Sequence, residues 1–236
     1  MTKNGSIVVL TGAGISAESG LPTFRGADGL WEGHRVEDVA SPEGFMRNPH
    51  LVQRFYNLRR AALNTVEPNA AHLALARLDR KWPGDFLLIT QNVDDLHERA
   101  GSQRLVHMHG ELRKVRCPAC RWLGVWQGDV TMETPCPHCK RTWTLRPHIV
   151  WFGEIPMEMD TCVEALSEAD IFLAIGTSGQ VYPAAGFVSR VAWRPESRRV
   201  EVNVEATGNP DFNEVCIGPA SSTVPALVEE LLSAGS

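Results

Sequence analysis

The fold is indicated by one stretch near the start of the chain, IVVLTGAGISA at residues 7–17. The apolar run at residues 7–10 is typical of a buried strand. It leads into Gly12-Ala13-Gly14-Ile15-Ser16-Ala17, which matches the G-x-G-x-x-G/A pattern that joins such a strand to a helix. Glycines there permit a tight turn and a close backbone approach to a dinucleotide pyrophosphate. The stretch predicts a nucleotide-binding turn, with a ligand-free strand-to-helix turn as the alternative.

The rest of the chain continues the alternation of short apolar runs and amphipathic segments. We expect further buried parallel strands at residues 86–90, 105–107, 171–175 and 200–204, and helices at 49–62, 71–78 and 224–232. Strands that alternate with helices predict an α/β fold with a Rossmann-like, doubly wound parallel sheet.

Two stretches, residues 23–47 and 111–146, do not follow this alternation, and they predict a smaller inserted domain. The expected Rossmann-like domain comprises residues 1–31, 80–110 and 155–236. The expected small domain comprises residues 32–79 and 111–154, a helical segment plus a zinc-binding module.

Composition narrows the class of protein. Of 236 residues, 43% are hydrophobic and 22% are charged, which is ordinary for a globular protein and excludes a disordered, collagen-like or coiled-coil chain. The net charge of −5 disfavours a protein whose main role is to coat nucleic acid. No apolar stretch approaches the about 20 residues that span a bilayer, and no secretory leader is evident. We therefore expect a cytoplasmic protein without a membrane partner.

Four of the six cysteines form two tight pairs, Cys117-x2-Cys120 and Cys136-x2-Cys139, separated by fifteen residues. This is the spacing of a zinc ribbon. Four thiolates complete a tetrahedral site, so the pattern predicts one structural zinc ion rather than a catalytic one. Cys162 and Cys216 are expected to be small core residues.

The same region also suggests a rival function. Residues 113–146 contain seven Lys or Arg residues and two acidic ones, although the whole chain is acidic. A zinc module with that local charge could bind nucleic acid. Trp122, Trp126 and Trp143 could stack on bases, but we expect them to form the small core that a ribbon needs.

Polar side chains follow two of the expected strands. Gln91, Asn92 and Asp94 come after residues 86–90, and His107 and His109 come at the end of 105–107. Carboxyl ends of parallel strands are where α/β proteins bind ligands, and a histidine there can act as a general base near pH 7. The alternatives are structural histidines and an Asx turn or helix cap at Asp94.

Several of these motifs together resemble the sirtuins, the NAD-dependent protein deacylases. GAGISAESGLPTFRG at residues 12–26 resembles their signature loop, although many members have Asp where this chain has Thr23. QNVDDLH at 91–97, His109-Gly110, the four cysteines, VWFGE at 150–154, GTS at 176–178 and NVE at 203–205 follow in the family's order. The resemblance covers roughly residues 7–232. A hydride-transfer enzyme is disfavoured, because no second strand ends in an acidic residue about 20 positions after the glycines.

The resemblance implies NAD as co-substrate, a Rossmann-like fold and catalytic roles for His109 and Asn92. It implies that His109 takes a proton from a ribose hydroxyl after the acyl oxygen has displaced nicotinamide. O-acyl-ADP-ribose would then be released. The implied cofactor-binding residues are Gly12, Ala13, Gly14, Ala17, Glu18, Thr23, Phe24, Arg25, Trp31, Gln91, Asn92, Val93, Asp94, Gly176, Thr177, Ser178, Asn203, Val204, Glu205 and Ala220.

The resemblance also implies a substrate, acylated lysine of varied proteins bound as an extended strand. The implied contacts are Val150, Phe152, Gly153, Glu154, Gly179, Val181 and Tyr182. Tyr56 and Arg59 share a helix face and match the acyl-pocket pair of the class III branch, which implies removal of succinyl and malonyl as well as acetyl groups. A protein ADP-ribosyltransferase on the same scaffold is the alternative activity.

Overall fold

A computed structural model of the chain describes residues 5–23, 31 and 33–234. The strands within these residues are β1 (Ile7–Thr11), β2 (Phe86–Thr90), β3 (Leu105–His107), β4 (Gly110–Arg116), β5 (Leu123–Val125), β6 (Arg146–Ile149), β7 (Ile171–Ile175), β8 (Arg198–Asn203) and β9 (Glu214–Ile217). The helices are α1 (Gly14–Ala17), α2 (Val36–Val39), α3 (Pro42–Arg47), α4 (Pro49–Ala62), α5 (Ala70–Lys81), α6 (Leu96–Ala100), α7 (Met159–Glu168), α8 (Phe187–Val191) and α9 (Ala220–Ala234).

Six strands form the large sheet in the order β3-β2-β1-β7-β8-β9, and every neighbouring pair is parallel. This confirms the Rossmann-like prediction. β1, β7 and most of β2 are buried because helices cover both faces, which is why these strands are uninterrupted apolar runs. Thr11, Thr90 and Ile175 lie side by side at the carboxyl end of the sheet, so the loops that follow them meet at one edge.

The large sheet has a hydrophobic core on each face. α5 and α9 cover one face, where Leu75, Leu78 and Val228 pack against Val9 and Leu173. α7 and α8 cover the other, with the fully buried Cys162 in its core. Helix α5 starts one residue before the predicted 71–78 because Asn69 caps its start, where the His72 side chain accepts from the Asn69 amide, and it continues to Lys81.

A second, antiparallel sheet has the order β5-β4-β6 and packs against α4. Its core joins Val52, Phe55 and Tyr56 of α4 to Leu112 of β4 and Trp151. Helix α4 begins where it was predicted because the Asn48 side chain caps it and Pro49 occupies its first position.

The structure corrects three sequence-based expectations. β8 runs over 198–203 rather than 200–204, starting at two arginines that apolar patterning does not identify. The short edge strand β9 was not predicted: it has only four residues, and none of them is fully buried. Trp122 and Trp126 pack on the ribbon core as expected, but Trp143 is 58% exposed and contacts the His50 ring instead. Among the described residues no helix combines the length and apolarity that crossing a membrane requires.

Candidate active site

A cavity of about 500 Å³ lies at the carboxyl edge of the large sheet and extends to the small sheet. It brings together most of the predicted site residues from eight separate stretches of the chain. Those that line it are Gly12, Ala13, Gly14, Thr23, Trp31, Tyr56, Arg59, Gln91, Asn92, Val93, Asp94, His109, Val150, Phe152, Gly153, Glu154, Gly176, Thr177, Ser178, Val181, Tyr182, Asn203 and Val204.

Several predicted residues are not part of this lining. Ala17, Glu18, Glu205 and Ala220 lie outside it, and Gly179 lines a smaller neighbouring cavity. The Glu18 carboxylate accepts hydrogen bonds from the backbone amide and hydroxyl of Ser221, so it holds the start of α9. Phe24 and Arg25 lie outside the described residues.

The glycine loop after β1 packs directly on the loop after β7. The Gly14 amide donates to the Gly176 carbonyl at 2.8 Å. A Cβ atom on Gly14 would lie 2.8 Å from the Gly176 Cα, and one on Gly12 would lie 2.7 Å from the Gly176 carbonyl oxygen. Only glycine fits at either position, and the resulting close approach of two backbones forms the narrow floor that a pyrophosphate needs.

The side chain of Asn92, which lines the cavity, is held in place by hydrogen bonds. Its Nδ2 donates to the Gly12 carbonyl and to the Ser16 hydroxyl, both at 3.1 Å. Ser16 in turn donates to Asp94 at 3.0 Å. Burial raises the pKa of Asp94, although hydrogen bonds from Leu96 and Ser16 oppose the shift. Ser16 was missing from the predicted site, even though it stands within the glycine motif.

His109 is oriented by a backbone contact. Its Nδ1 lies 3.1 Å from the Gln91 carbonyl oxygen, which can only accept, so Nδ1 carries the hydrogen and Nε2 keeps its lone pair. Burial holds the pKa of His109 below the usual 6.5, although this hydrogen bond favours the charged form. The ring is therefore neutral at pH 7 and can accept a proton.

Tyr56 and Arg59 form one wall at the other end of the cavity. Tyr56 is completely buried, and its hydroxyl oxygen accepts from the Trp151 indole at 3.0 Å. Desolvation raises the pKa of Tyr56, so the phenol stays neutral. The Arg59 guanidinium lies 4.3 Å from the centre of the Trp31 ring. Apolar residues that sequence reasoning missed complete this end: Ala40, Ala62, Leu63, Leu112 and Ile149.

The rim between the two sheets carries exposed apolar side chains. Phe152 is 44% exposed, and Tyr182 is 79% exposed on the opposite segment. Glu154 lines the cavity, but its carboxylate accepts from Arg146, Arg116 and the Trp151 amide. Glu154 therefore fixes the shape of the 150–154 loop, while the side chains of Phe152 and Tyr182 stay exposed at the rim.

The four predicted zinc ligands converge. The Sγ atoms of Cys117 and Cys139 are 3.9 Å apart, and those of Cys120 and Cys136 are 3.7 Å apart. A tetrahedral zinc with Zn–S bonds of about 2.3 Å places sulfur atoms about 3.8 Å apart. The cluster fits one zinc ion whose four ligand positions are all filled by cysteine. Such an ion stabilises the fold and takes no part in catalysis.

Part of the basic charge near the ribbon is paired with carboxylates of the same chain. Arg113 pairs with Asp95, Lys114 with Glu111, and both Arg116 and Arg146 pair with Glu154. Four of the seven basic residues are thus engaged, which weakens the nucleic-acid interpretation.

Comparison with known proteins agrees with this geometry. The model of the Sir2 family matches residues 12–183. The NAD-dependent protein deacylase of Bdellovibrio bacteriovorus is 56% identical over 230 residues, which cover 96% of this chain and 97% of that protein. A Sir2 homologue solved as an NAD complex has a TM-score of 0.88 and 39% identity, covering 98% of this chain and 91% of that one. A Sir2 protein bound to a myristoylated histone peptide has a TM-score of 0.74 and 32% identity, covering 97% and 92%.

Proposed function

The chain belongs to the Sir2 family and is an NAD-dependent protein deacylase, and we propose that the cavity holds NAD at its glycine-loop end and an acyl-lysine at its Tyr56–Arg59 end. His109 lies between them as the general base. The observation that carries this assignment is the single cavity that joins the glycine loop, His109 and the Tyr56–Arg59 wall.

The residues at the nucleotide end fit a bound NAD molecule. The pyrophosphate would lie close to the backbone of Gly12, Gly14 and Gly176, because these residues have no Cβ atom in the way. Asn92 and Asp94 supply amide and carboxylate groups below it. When bound, NAD supplies an electrophilic ribose carbon and nicotinamide as a leaving group. The chain contributes orientation, a partly enclosed site and a base.

We assign the proton-transfer step to His109. The Gln91 carbonyl fixes the Nδ1–H form, so Nε2 would take the proton from a ribose hydroxyl. Burial keeps this nitrogen unprotonated at neutral pH. Asn92 would orient the substrates, because its side chain is held by both the glycine loop and Ser16.

Arg59 is proposed to favour acyl groups that end in a carboxylate, such as succinyl and malonyl. A guanidinium pairs with a carboxylate through charge-assisted hydrogen bonds. Tyr56 accepts from Trp151, so its own hydrogen can be donated to the same acyl group. The apolar wall of Ala62, Leu63 and Leu112 leaves room for the acyl chain, so acetyl groups remain substrates.

The substrate peptide is proposed to lie between residues 150–154 and 179–182, across the rim formed by Phe152 and Tyr182. An extended peptide uses backbone hydrogen bonds, which tolerate many sequences, so we expect several substrate proteins. Zinc is proposed at the four cysteines as a structural ion. Because such thiolates persist in a reducing compartment, we place the protein in the cytoplasm. The division into a Rossmann-like and a small domain stays a proposal with the predicted boundaries.

The test is mass spectrometry of matched acetyl-lysine and succinyl-lysine peptides with and without NAD. We expect loss of the acyl group and formation of O-acyl-ADP-ribose with the wild-type chain, and neither with His109→Ala. His50→Ala is the matched control, because His50 is outside the cavity lining. ADP-ribose retained on the peptide would favour the transferase alternative, and equal activity of His109→Ala would remove His109 from the base role.

A further inference from the structure

His107 takes no part in the chemistry described above, yet it contacts the backbone of Asn92. The ring lies outside the cavity lining, and its side chain is 9% exposed. Its Nδ1 is 3.3 Å from the Asn92 carbonyl oxygen, and its Nε2 is 2.6 Å from Glu98 Oε1. The ring therefore connects the loop after β2 to helix α6.

Both contacts are satisfied only when the ring carries two hydrogens. A carbonyl oxygen and an ionised carboxylate accept hydrogen bonds and cannot donate them. A neutral imidazole has one N–H, so it would point a lone pair at either Asn92 or Glu98. The imidazolium form donates to both, and its bond to Glu98 is charge-assisted.

The surroundings favour that charged form. Burial of the ring opposes the charge, but the hydrogen bond to Glu98 and the negative charges of Glu98 and Glu111 outweigh it and raise the pKa of His107 above 6.5. Lys114 donates to Glu111 at 2.6 Å and partly offsets that carboxylate. The titratable or charged groups around the ring are Glu98 and His97 on α6, Asp94 in the loop before it, and Glu111 and Lys114 on β4.

We propose that His107 is a positioning residue, whose imidazolium ties the Asn92 carbonyl to Glu98 and thereby holds Asn92 in place below the NAD site. The inference rests on the proposed role of Asn92. The other contacts of Asn92 are made by its side chain and by its amide, which donates to Thr90 Oγ1 at 3.0 Å. His107 adds the contact to the carbonyl and makes it depend on pH.

The consequence is a loss of activity on the alkaline side. As pH rises through the pKa of His107, the ring loses one hydrogen and with it one of the two contacts. Asn92 is then less well oriented, so kcat/KM for NAD falls. The peptide KM at saturating NAD stays the same, because the His107 ring lies outside the cavity that Phe152 and Tyr182 line.

A substitution at Glu98 separates this mechanism from a merely structural role. In Glu98→Gln the amide can donate to Nε2 of a neutral ring, while Nδ1–H still donates to Asn92. Both contacts then persist without a charge. We expect the alkaline decline to disappear in Glu98→Gln, with activity at pH 7 within about twofold of wild type, because both contacts of the ring persist.

The experiment measures kcat/KM for NAD from pH 6 to 9 with one acyl-lysine peptide. Wild type is expected to decline about tenfold on the alkaline side, the effect of losing one charge-assisted hydrogen bond. His107→Phe is expected to be low and flat across the range, with an unchanged peptide KM. The matched control is Glu67→Gln, which neutralises a carboxylate that is 82% exposed and pairs with Arg99, and it should follow wild type.

Titration of the His107 ring by NMR completes the test, and it remains informative if His107→Phe does not fold. We expect a midpoint above 6.5 in wild type and a lower one in Glu98→Gln. Identical pH profiles for wild type, Glu98→Gln and Glu67→Gln, or a His107 midpoint below 6.5 in wild type, would overturn the inference. Absence of NAD-dependent deacylation by wild type at every pH would instead refute the proposed function.

Discussion

The nucleotide end of the cavity is built from loops that follow strands, whereas the acyl end is built from side chains of a helix that packs on an aromatic core. At the first end, backbone groups of Gly12, Gly14 and Gly176 are positioned by the sheet itself. At the second, Tyr56 and Arg59 depend on contacts with Trp31 and Trp151. The comparison implies that changes at the first end affect every substrate, while changes at the second select among acyl groups.

The largest expected effect comes from removing the proposed zinc ion. The ribbon core is small, and the thiolates of Cys117 and Cys136 are buried in it, so zinc-free protein should lose the small sheet. β4 and β6 supply Leu112 and Ile149 to the cavity, so activity should fall below detection for both acetyl and succinyl peptides. Elemental analysis should find one zinc per chain. A native zinc-free protein with full activity would contradict this account.

His109→Ala tests the centre of the cavity, where the two ends meet. A general base contributes about a hundredfold or more, so deacylation of both peptides should fall by at least that factor. Exchange of labelled nicotinamide into NAD should persist, because the step proposed for His109 comes after nicotinamide has left. If exchange and deacylation fall together, His109 acts at an earlier step.

The nucleotide end was predictable because its signals are local in the chain. The run 7–17 contains both the strand and the glycines, and Gln91 to Asp94 follow the next buried strand directly. Parallel strands align their carboxyl ends, so these residues had to meet at one edge. Ser16 was missed because a serine in the first turn of a helix ordinarily indicates a cap, and only the fold reveals its contacts with Asn92 and Asp94.

The acyl end was less predictable because its residues are brought together by tertiary packing. Leu112 and Ile149 lie on strands of the small sheet, and nothing in their sequence neighbourhood distinguishes them from core residues. Resemblance, not periodicity, singled out Tyr56 and Arg59, and the helix pattern left their burial open. The contact of Tyr56 with Trp151 connects positions 95 residues apart, which no local pattern encodes.

Gly14→Ala is expected to weaken NAD binding about tenfold, because overpacking this contact displaces the backbone that would hold the pyrophosphate. The added Cβ would lie 2.8 Å from the Gly176 backbone, so the loop must move. KM for NAD should rise equally with acetyl and succinyl peptides. Gly186→Ala is the control, because its Cβ would meet only Tyr182, at 3.7 Å. A rise in KM for NAD with only one of the two acyl peptides would contradict the claim that the nucleotide end affects all substrates equally.

The smallest expected effect is the acidic limb of the pH profile. The pKa of His109 lies below 6.5 because the ring is buried, and only the neutral ring can act as the base. The midpoint of the acidic decline should therefore lie below pH 6.5, where the ring becomes protonated. The acidic decline in kcat should have the same midpoint with acetyl and succinyl peptides. A midpoint above pH 6.5 would mean that another group controls the step.

The most direct test of the central claim is the ratio of kcat/KM for succinyl-lysine to that for acetyl-lysine, measured at saturating NAD in wild type and in Arg59→Met. We expect Arg59→Met to lower the succinyl value by about a hundredfold, through loss of a bidentate charge-assisted pair, and to leave the acetyl value within about threefold. Arg54→Met, an exposed change on the same helix, should leave the ratio unchanged. Equal losses for both acyl groups in Arg59→Met would contradict the claim that this end of the cavity selects the acyl group.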